Sequence, residues 1–244
     1  MGRKKSEIKT EEILLPDYKI SIKCLNNKQK EFVNSLKKKE HEICFGTGSA
    51  GTGKSYLSFS VALSLLKTNE NFKKIIIFVP TCESTKELSM GFLKGTLEEK
   101  SEVYKQNSYN TLIKILETSG NNKSKEIINE MISKKIIEFE FINFVKGKTF
   151  SNCICVLEEA EDLSKEDMLL LLTRKGGENC KMFISGDDKQ ISRSDLRNRK
   201  ERSGLKFAAN VLKTMNEVSV TEFDVNDIVR DKLLTEIIKR FEEN

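Results

Sequence analysis

Histidine is nearly absent from this chain, which has only His41, and none of its six cysteines stands in a C-x-x-C pair. A structural zinc site is therefore not expected, because closed zinc sites draw four ligands from cysteine and histidine, usually in close-spaced pairs. No apolar run approaches the roughly 20 residues that a membrane-spanning helix needs. The opening Met1-Gly2-Arg3-Lys4-Lys5-Ser6-Glu7 is basic but has no apolar stretch behind it, so it does not read as a secretory leader. Cys44, Cys153 and Cys155 lie in apolar runs and read as small buried hydrophobes, which fits a reducing, cytoplasmic setting. His41 stands in the charged run Lys37 to Glu42 and reads as a surface group rather than a catalytic base. The formal charge of +5 permits nucleic-acid binding without demanding it.

What the chain does have is Gly48-Ser49-Ala50-Gly51-Thr52-Gly53-Lys54-Ser55, which fits G-x-x-x-x-G-K-[ST] at every fixed position. Glu42 to Phe45 reads as a strand before it, and Tyr56 to Leu66 places apolar residues at helical spacing behind it. Strand, loop and helix make up a phosphate-binding unit. The glycines let the backbone turn its N–H groups toward phosphate oxygens, and the helix adds the positive end of its dipole. Lys54 would reach the terminal phosphates of ATP, and the Ser55 hydroxyl would ligate Mg²⁺. The bland alternative is a glycine-rich turn that happens to precede Lys-Ser.

The rest of the chain alternates strands with helices. Strands are expected at Lys74 to Val79, Ile136 to Ile142, Cys153 to Leu157, Lys181 to Ser185 and Val218 to Phe223. Helices are expected at Asn27 to Leu36, Ser164 to Arg174, Leu205 to Met215 and Asp227 to Phe241. Residues 1–24, with Pro16 as a breaker, read as an N-terminal extension, and 101–135 as an insertion of two helices broken at Ser119-Gly120-Asn121-Asn122. The pattern predicts an α/β fold, a three-layer sandwich with a mostly parallel central sheet.

Two further segments carry ATPase chemistry. Cys153 to Leu157 runs straight into Glu158-Glu159-Ala160, the place of a Walker B motif. The first carboxylate there holds the Mg²⁺ shell and the second polarises the attacking water. The usual first residue is Asp, and Glu158 extends the carboxylate by about 1.5 Å, one carbon–carbon bond. A solvated acidic turn is the alternative. Glu161 and Asp162 lie beyond the strand end and read as supporting or surface groups. Finally, Gly186-Asp187-Asp188-Lys189-Gln190 follows a strand and fits G-D-x-x-Q, motif III of superfamily 1 helicases, where the glutamine sits near the γ-phosphate.

In this order, these segments resemble the PhoH family, P-loop ATPases related to the superfamily 1 helicase core. The resemblance runs over 25–244 and includes Gln29 before the loop, Gly91 to Lys100, Leu172-Thr173-Arg174, Ser203-Gly204-Leu205 and Asp227-Ile228-Val229-Arg230. Three positions depart from the family pattern: Glu158 for Asp, Glu161 for Gln, and Lys146-Gly147-Lys148 for R-G-R. The resemblance implies a RecA-like core, ATP hydrolysis with Mg²⁺, an adenine contact at Gln29, and ring-like homo-oligomers, a hexamer favoured. It also implies an arginine that reaches a neighbour's nucleotide, for which Arg174 and Arg230 are the candidates. The catalytic set it suggests is Lys54, Glu159, Gln190, Arg230 and Arg174.

The family is linked to RNA and single-stranded nucleic acid. Lys86, Lys94, Lys146 and Lys148 offer a basic path, and Phe141, Phe144 and Phe150 interleave with two of those lysines as a stacking platform would. The plain alternative is core phenylalanines with a solvated lysine rim. Two other classes are an ATP-dependent switch or binding module with little turnover, for which Glu158 argues, and a nuclease built on Asp187, Asp188, Asp224, Asp227 and Asp231. Those acids lack a defensible metal-site spacing.

Overall fold

A computed structural model describes residues 14–80, 97–177, 179–187, 190 and 203–243, with backbone alone at 97–103 and 241–243. One sheet is built from β1 (Ile43–Gly48), β2 (Lys74–Val79), β3 (Ile137–Phe141), β4 (Cys153–Leu157), β5 (Cys180–Gly186) and β6 (Val218–Phe223). Their spatial order is β3-β2-β4-β5-β1-β6, and every pairing is parallel. Parallel neighbours need crossovers, and helices supply them. α1 (Asn27–Lys37) precedes β1, and α2 (Lys54–Thr68) leads from β1 to β2. α3 (Leu97–Thr118) and α4 (Ser124–Ser133) lie between β2 and β3, α5 (Lys165–Leu172) between β4 and β5, and α6 (Gly204–Leu212) between β5 and β6. α7 (Lys232–Glu243) ends the described chain.

Strand side chains alternate between two cores, as a period of two requires. Ile75, Ile77, Ile154 and Val156 pack with residues of α1 to α4. Ile76, Phe78, Cys155 and Leu157 pack with residues of α5 and α6. Both faces are covered, which is why these strands read as continuous apolar runs rather than as alternating ones. The result is the expected α/β three-layer sandwich. Helix starts follow local chemistry. The Asn26 side chain accepts the Gln29 N–H, and the Ser164 hydroxyl oxygen accepts the Asp167 N–H.

The two helices expected over 101–135 are present, and Leu112, Ile115 and Leu116 of α3 and Ile128 and Met131 of α4 are fully buried in the first core. Two other segments differ from the sequence reading. The expected helix from Asp227 is interrupted. Asp224 caps a short 3₁₀ turn at Val225–Asp227, and α7 begins only at Lys232. Residues 14–24 have no helix or strand, yet Tyr18 is 1% exposed and Leu15, Ile20, Ile22 and Cys24 pack on the first core. The rest of the 1–24 extension, and residues 91–96 of the Gly91 to Lys100 stretch, lie outside the described residues.

Tyr18 ties this irregular strap to α2, donating its hydroxyl to Leu63 O at 2.8 Å while Lys67 Nζ lies 5.1 Å above its ring centre. Tyr18→Phe is expected to lower unfolding stability by about 1 kcal/mol, one neutral hydrogen bond. Tyr18→Ala should cost about 3–5 kcal/mol, the range for truncating a buried aromatic ring. Denaturant unfolding measures both, and a Tyr18→Ala protein as stable as the parent would mean that the strap does not belong to the folded core.

Candidate active site

The loop is shaped by how closely its neighbours approach. Gly48 ends β1 with φ +100, and a Cβ there would lie 1.9 Å from Phe223 O of β6. Gly53 has φ +88 and a Cβ would lie 2.9 Å from Gln29 Nε2. A side chain at Gly48 would have to displace the β6 backbone, and one at Gly53 would strain the left-handed backbone and push the Gln29 amide aside. The loop is braced from three sides. Gln29 Nε2 of α1 donates to Thr52 O at 2.8 Å, Ser49 N donates to Phe223 O at 3.3 Å, and Val229 N donates to Gly51 O at 3.0 Å. Within the loop, the buried Thr52 hydroxyl donates to Ser49 O at 3.0 Å. Lys54 is 7% exposed, and its ammonium donates to Gly48 O at 2.6 Å and Ser49 O at 2.8 Å. Ala50 is half-buried at the turn between them.

Gln29, the expected adenine contact, is 2% exposed, its Nε2 bonds the loop backbone, and its Oε1 accepts the Leu25 N–H at 2.6 Å. In this structure the amide supports the loop from behind.

β4 stands two positions from β1 in the sheet, a lateral offset of about 10 Å. The gap is closed by side chains. Glu158, just past β4, shares a cleft with Ser55 on the first turn of α2, and its Oε2 accepts the Ser108 hydroxyl of α3 at 3.0 Å. Burial raises the Glu158 carboxyl above its ordinary range. The Ser55 and Ser108 hydroxyls pull it back down and the Glu159 charge pushes it further up. The cleft is lined by Ser55, Tyr104, Asn107, Ser108, Glu158 and Glu159. Hydroxyl and carboxylate oxygens are hard donors of the kind Mg²⁺ takes, so Ser55 and Glu158 suit that ion, and the glycine cradle suits a polyphosphate.

Glu159 is exposed and has φ 52 and ψ 39, a left-handed conformation uncommon outside glycine. Such backbone recurs where a functional side chain is held to one direction. Glu161 and Asp162, read as supporting or surface groups, are buried at 2% and 5% exposure because a 3₁₀ turn at Ala160–Asp162 folds them inward. Glu161 Oε2 accepts the Asp187 N–H at 3.1 Å, and a Cβ on Gly186 would lie 2.1 Å from that oxygen. Its carboxyl is also hydrogen-bonded to Glu159. Burial first, and then the Glu159 charge, push the Glu161 carboxyl up to about 9. At neutral pH it is a neutral acid, able to donate and accept like the glutamine it replaces.

The other expected residues are distributed unevenly. Arg230 reaches the loop, where a Cβ on Gly51 would lie 3.0 Å from Arg230 Cγ. It stands on the irregular stretch before α7 rather than in a helix, since the Val229 N–H is used on Gly51 O. Arg174 is not near the loop. α5 runs back from the acidic turn, so its C-terminus arrives at the start of the sheet, where Arg174 O accepts the Phe150 N–H at 2.9 Å. Gln190 is exposed and its N–H donates to Asp187 O at 2.9 Å. Phe150 is 7% exposed and packs edge-on against Phe78, so it is core and not a stacking surface. Phe144 is 65% exposed, edge-on to Phe141 at 6.0 Å, with Lys105 Nζ 5.1 Å from the Phe141 ring centre. Lys146 is exposed, and Lys148 pairs with Glu140 at 2.6 Å. Lys86, Lys94 and Asp188 lie outside the described residues. Among the described residues Asp187, Asp224, Asp227 and Asp231 form no group of three acids within metal-binding reach, which leaves the nuclease reading without a site.

Ser108 and Glu161 were the functional candidates that sequence reasoning missed. Ser108 had a signal: it is the polar member of an otherwise apolar stripe with Leu112 and Ile115. Glu161 had one too, its departure from the glutamine of the family pattern.

Comparison with known proteins places the chain. The family model described as PhoH-like protein matches residues 21–242. The PhoH-like protein of Mycobacterium leprae (strain TN) is 34% identical over 98% of this chain and 63% of its own length. That of Bacillus subtilis (strain 168) is 34% identical over 91% of this chain and 65% of its own. The chain thus spans less than two thirds of the length of these curated relatives. A crystal structure of Pif1 helicase from Candida albicans aligns over 83% of this chain and 41% of its own at 16% identity and a TM-score of 0.37, too low a likeness to bear on mechanism.

Two outcomes follow from this geometry. Ser108→Ala removes a hydrogen bond to a charged group, worth about 1.5–3 kcal/mol, and frees the longer Glu158 side chain to turn. The Mg²⁺ concentration needed for half-maximal nucleotide binding should rise roughly tenfold, with Mg²⁺-free binding unchanged; an unaltered Mg²⁺ dependence would remove Ser108 from the site. The Glu161 prediction concerns pH. The folded chain holds the Glu161 proton far more tightly than the unfolded chain, whose carboxyl titrates near 4.5. That contribution is full below the unfolded value and is lost as pH rises toward about 9. Glu161→Gln carries no such proton, so its stability should gain on the parent steadily across that window. Parallel stability curves would show that Glu161 is ionised in the fold.

Proposed function

The chain belongs to the PhoH-like family, and from that premise we propose that it binds and hydrolyses ATP with Mg²⁺ and couples turnover to binding or remodelling RNA or single-stranded nucleic acid. The observation that carries the ATP part is the meeting of Ser55 and Glu158 across two strand positions at the mouth of a glycine cradle. When bound, ATP supplies the scissile phosphoanhydride and Mg²⁺ neutralises charge on its oxygens.

Each protein group then has a task. The loop Gly48-Ser49-Ala50-Gly51-Thr52-Gly53-Lys54 cradles phosphate with the backbone N–H groups that its braces leave open, and the Lys54 ammonium exchanges its carbonyl partners for phosphate oxygens. Ser55 and Glu158 hold the ion. Glu159, aimed by its left-handed backbone and hydrogen-bonded to Glu161, orients the attacking water and takes its proton. Gln190 senses the terminal phosphate. Arg230, beside Gly51, stabilises charge at its own chain's loop. Arg174, at the opposite end of the sheet, serves only a neighbour's site, which a hexameric ring of single cores would provide. Support for a nucleic-acid partner is the exposed Phe144 against Phe141 with Lys105 and Lys146 at the C-terminal end of β3. Among the described residues no helix is long and apolar enough to cross a membrane.

A second reading, a nucleotide-dependent switch with little turnover, draws on Glu158 being tied to Ser108 in the cleft it shares with Ser55. One experiment separates the two: ATP turnover in Mg²⁺, with and without single-stranded RNA and DNA, on protein sized by light scattering. The proposal expects turnover that nucleic acid accelerates, and Lys54→Ala protein that has lost turnover and most nucleotide affinity. Parent-like turnover in Lys54→Ala would remove the loop as the site, while tight binding with no turnover under any condition would leave the switch.

A further inference from the structure

A second cluster of chemistry lies at the other end of the sheet. β4 begins at Cys153 and β5 at Cys180, and the parallel register sets these two residues side by side. Cys155 follows two residues later on the same face as Cys153. Three thiols therefore converge, with all three Sγ atoms within 4.8 Å of one another and Cys153 Sγ 3.8 Å from Cys155 Sγ. They are 0%, 2% and 3% exposed. The centre of such a triangle lies about 2.2–2.8 Å from each sulfur, a span that includes the usual metal–thiolate distance of about 2.3 Å.

The surroundings suit negative charge. The Lys175 ammonium, itself paired with Glu42 at 2.6 Å, acts on the Cys180 sulfur. The cluster is also close to solvent. Cys153 and Cys180 each follow directly on an exposed asparagine in left-handed conformation, Asn152 (φ 52) and Asn179 (φ 50). Those two side chains meet at 3.3 Å, so the sulfurs lie one residue beneath the turn surface.

We propose that Cys153, Cys155 and Cys180 form a trigonal thiolate site for a soft closed-shell cation, with monovalent copper as its best-suited occupant. Soft thiolates select such ions, and structural zinc takes four ligands where this group offers three. Binding releases the thiol protons to solvent and leaves the copper oxidation state unchanged. It pins β4 to β5 at their first residues and stabilises the folded chain by mass action.

The test uses the full chain, reduced and free of oxygen, titrated with Cu⁺ delivered as its bicinchoninate complex, with Zn²⁺ in a parallel series. One Cu⁺ per chain should leave the chelator, with new ultraviolet charge-transfer absorption and a raised unfolding midpoint. X-ray absorption at the copper edge should read three sulfur neighbours at about 2.3 Å. Cys155→Ala and Cys180→Ala, checked for folding by circular dichroism, should each weaken Cu⁺ binding roughly a hundredfold or more. Cys24→Ser and Cys44→Ser, outside the cluster, should bind as the parent does. If either alanine variant does not fold, the X-ray absorption reading on the parent protein decides alone. The site is overturned if no Cu⁺ is withdrawn, if Cys180→Ala binds as tightly as the parent, if nitrogen or oxygen ligands replace sulfur, or if Zn²⁺ binds tightly and Cu⁺ does not.

Discussion

The structure depends on how tightly the phosphate-type loop is wedged between segments far away in sequence. The carbonyl of Phe223 sits where a Gly48 side chain would begin, and the amide of Gln29 sits where a Gly53 side chain would begin. Neither neighbour belongs to the strand–loop–helix unit itself. One comes from the helix before β1, the other from the last strand, and Val229 adds a backbone bond from beyond that strand. Asn26 Nδ2 donates to Asp227 O at 3.1 Å, which joins the first and last braces behind the loop. An isolated loop of this composition would sample many conformations, since glycine loses more conformational freedom on ordering than any other residue. The braces take up that entropy during folding rather than during ligand binding, which is what preorganisation means for a binding loop.

The second constraint is electrostatic. Glu158, Glu159, Glu161 and Asp162 fall within five consecutive residues, and two of them are almost fully buried. Four charges that close repel strongly once water is removed. The fold resolves this by giving the four different environments. Glu158 accepts the Ser108 hydroxyl, Glu159 faces solvent, Glu161 keeps its proton, and Asp162 is folded inward by the 3₁₀ turn. The unusual Glu158 and the unusual Glu161 thus fit the same turn: one supplies a longer reach toward Ser55, the other a neutral hydrogen-bonding group beneath Glu159.

Much of this was legible in the residues. The strands at Lys74 to Val79 and Cys153 to Leu157 stand where apolar runs end abruptly, because a doubly covered strand has no polar face to blur its limits. The loop was legible because its glycines and Lys54 are fixed by chemistry rather than by packing. Other features depended on contacts that sequence does not encode locally. Tyr18 in a polar opening segment gives no sign that Leu63, far along the chain, awaits its hydroxyl. Glu161 reads as surface because acids usually are, and only the close approach of Gly186 and the Asp187 N–H makes room for it inside. The cysteines were read one by one as small hydrophobes, and it took the register of β4 against β5 to bring Cys180 beside the other two.

The two arginines show how the same residue type acquires different reach from topology alone. Arg230 follows β6, whose C-terminal end lies beside the end of β1, so the chain leaving β6 passes over the loop, and Val229 fixes it there. Its side chain is exposed but its stem is against Gly51, so its position follows the loop's own conformation. Arg174 follows a helix that must run antiparallel to the strands to connect β4 with β5, and this carries it a strand length away from every loop residue. The parallel bridge from Phe150 to Lys175 then locks that end of the helix to the sheet, and Arg174 cannot swing back. Arg174 is thus kept from its own chain's loop, whereas Arg230 lies against it. The division rests on right-handed crossover geometry and would survive changes in most of the side chains around it.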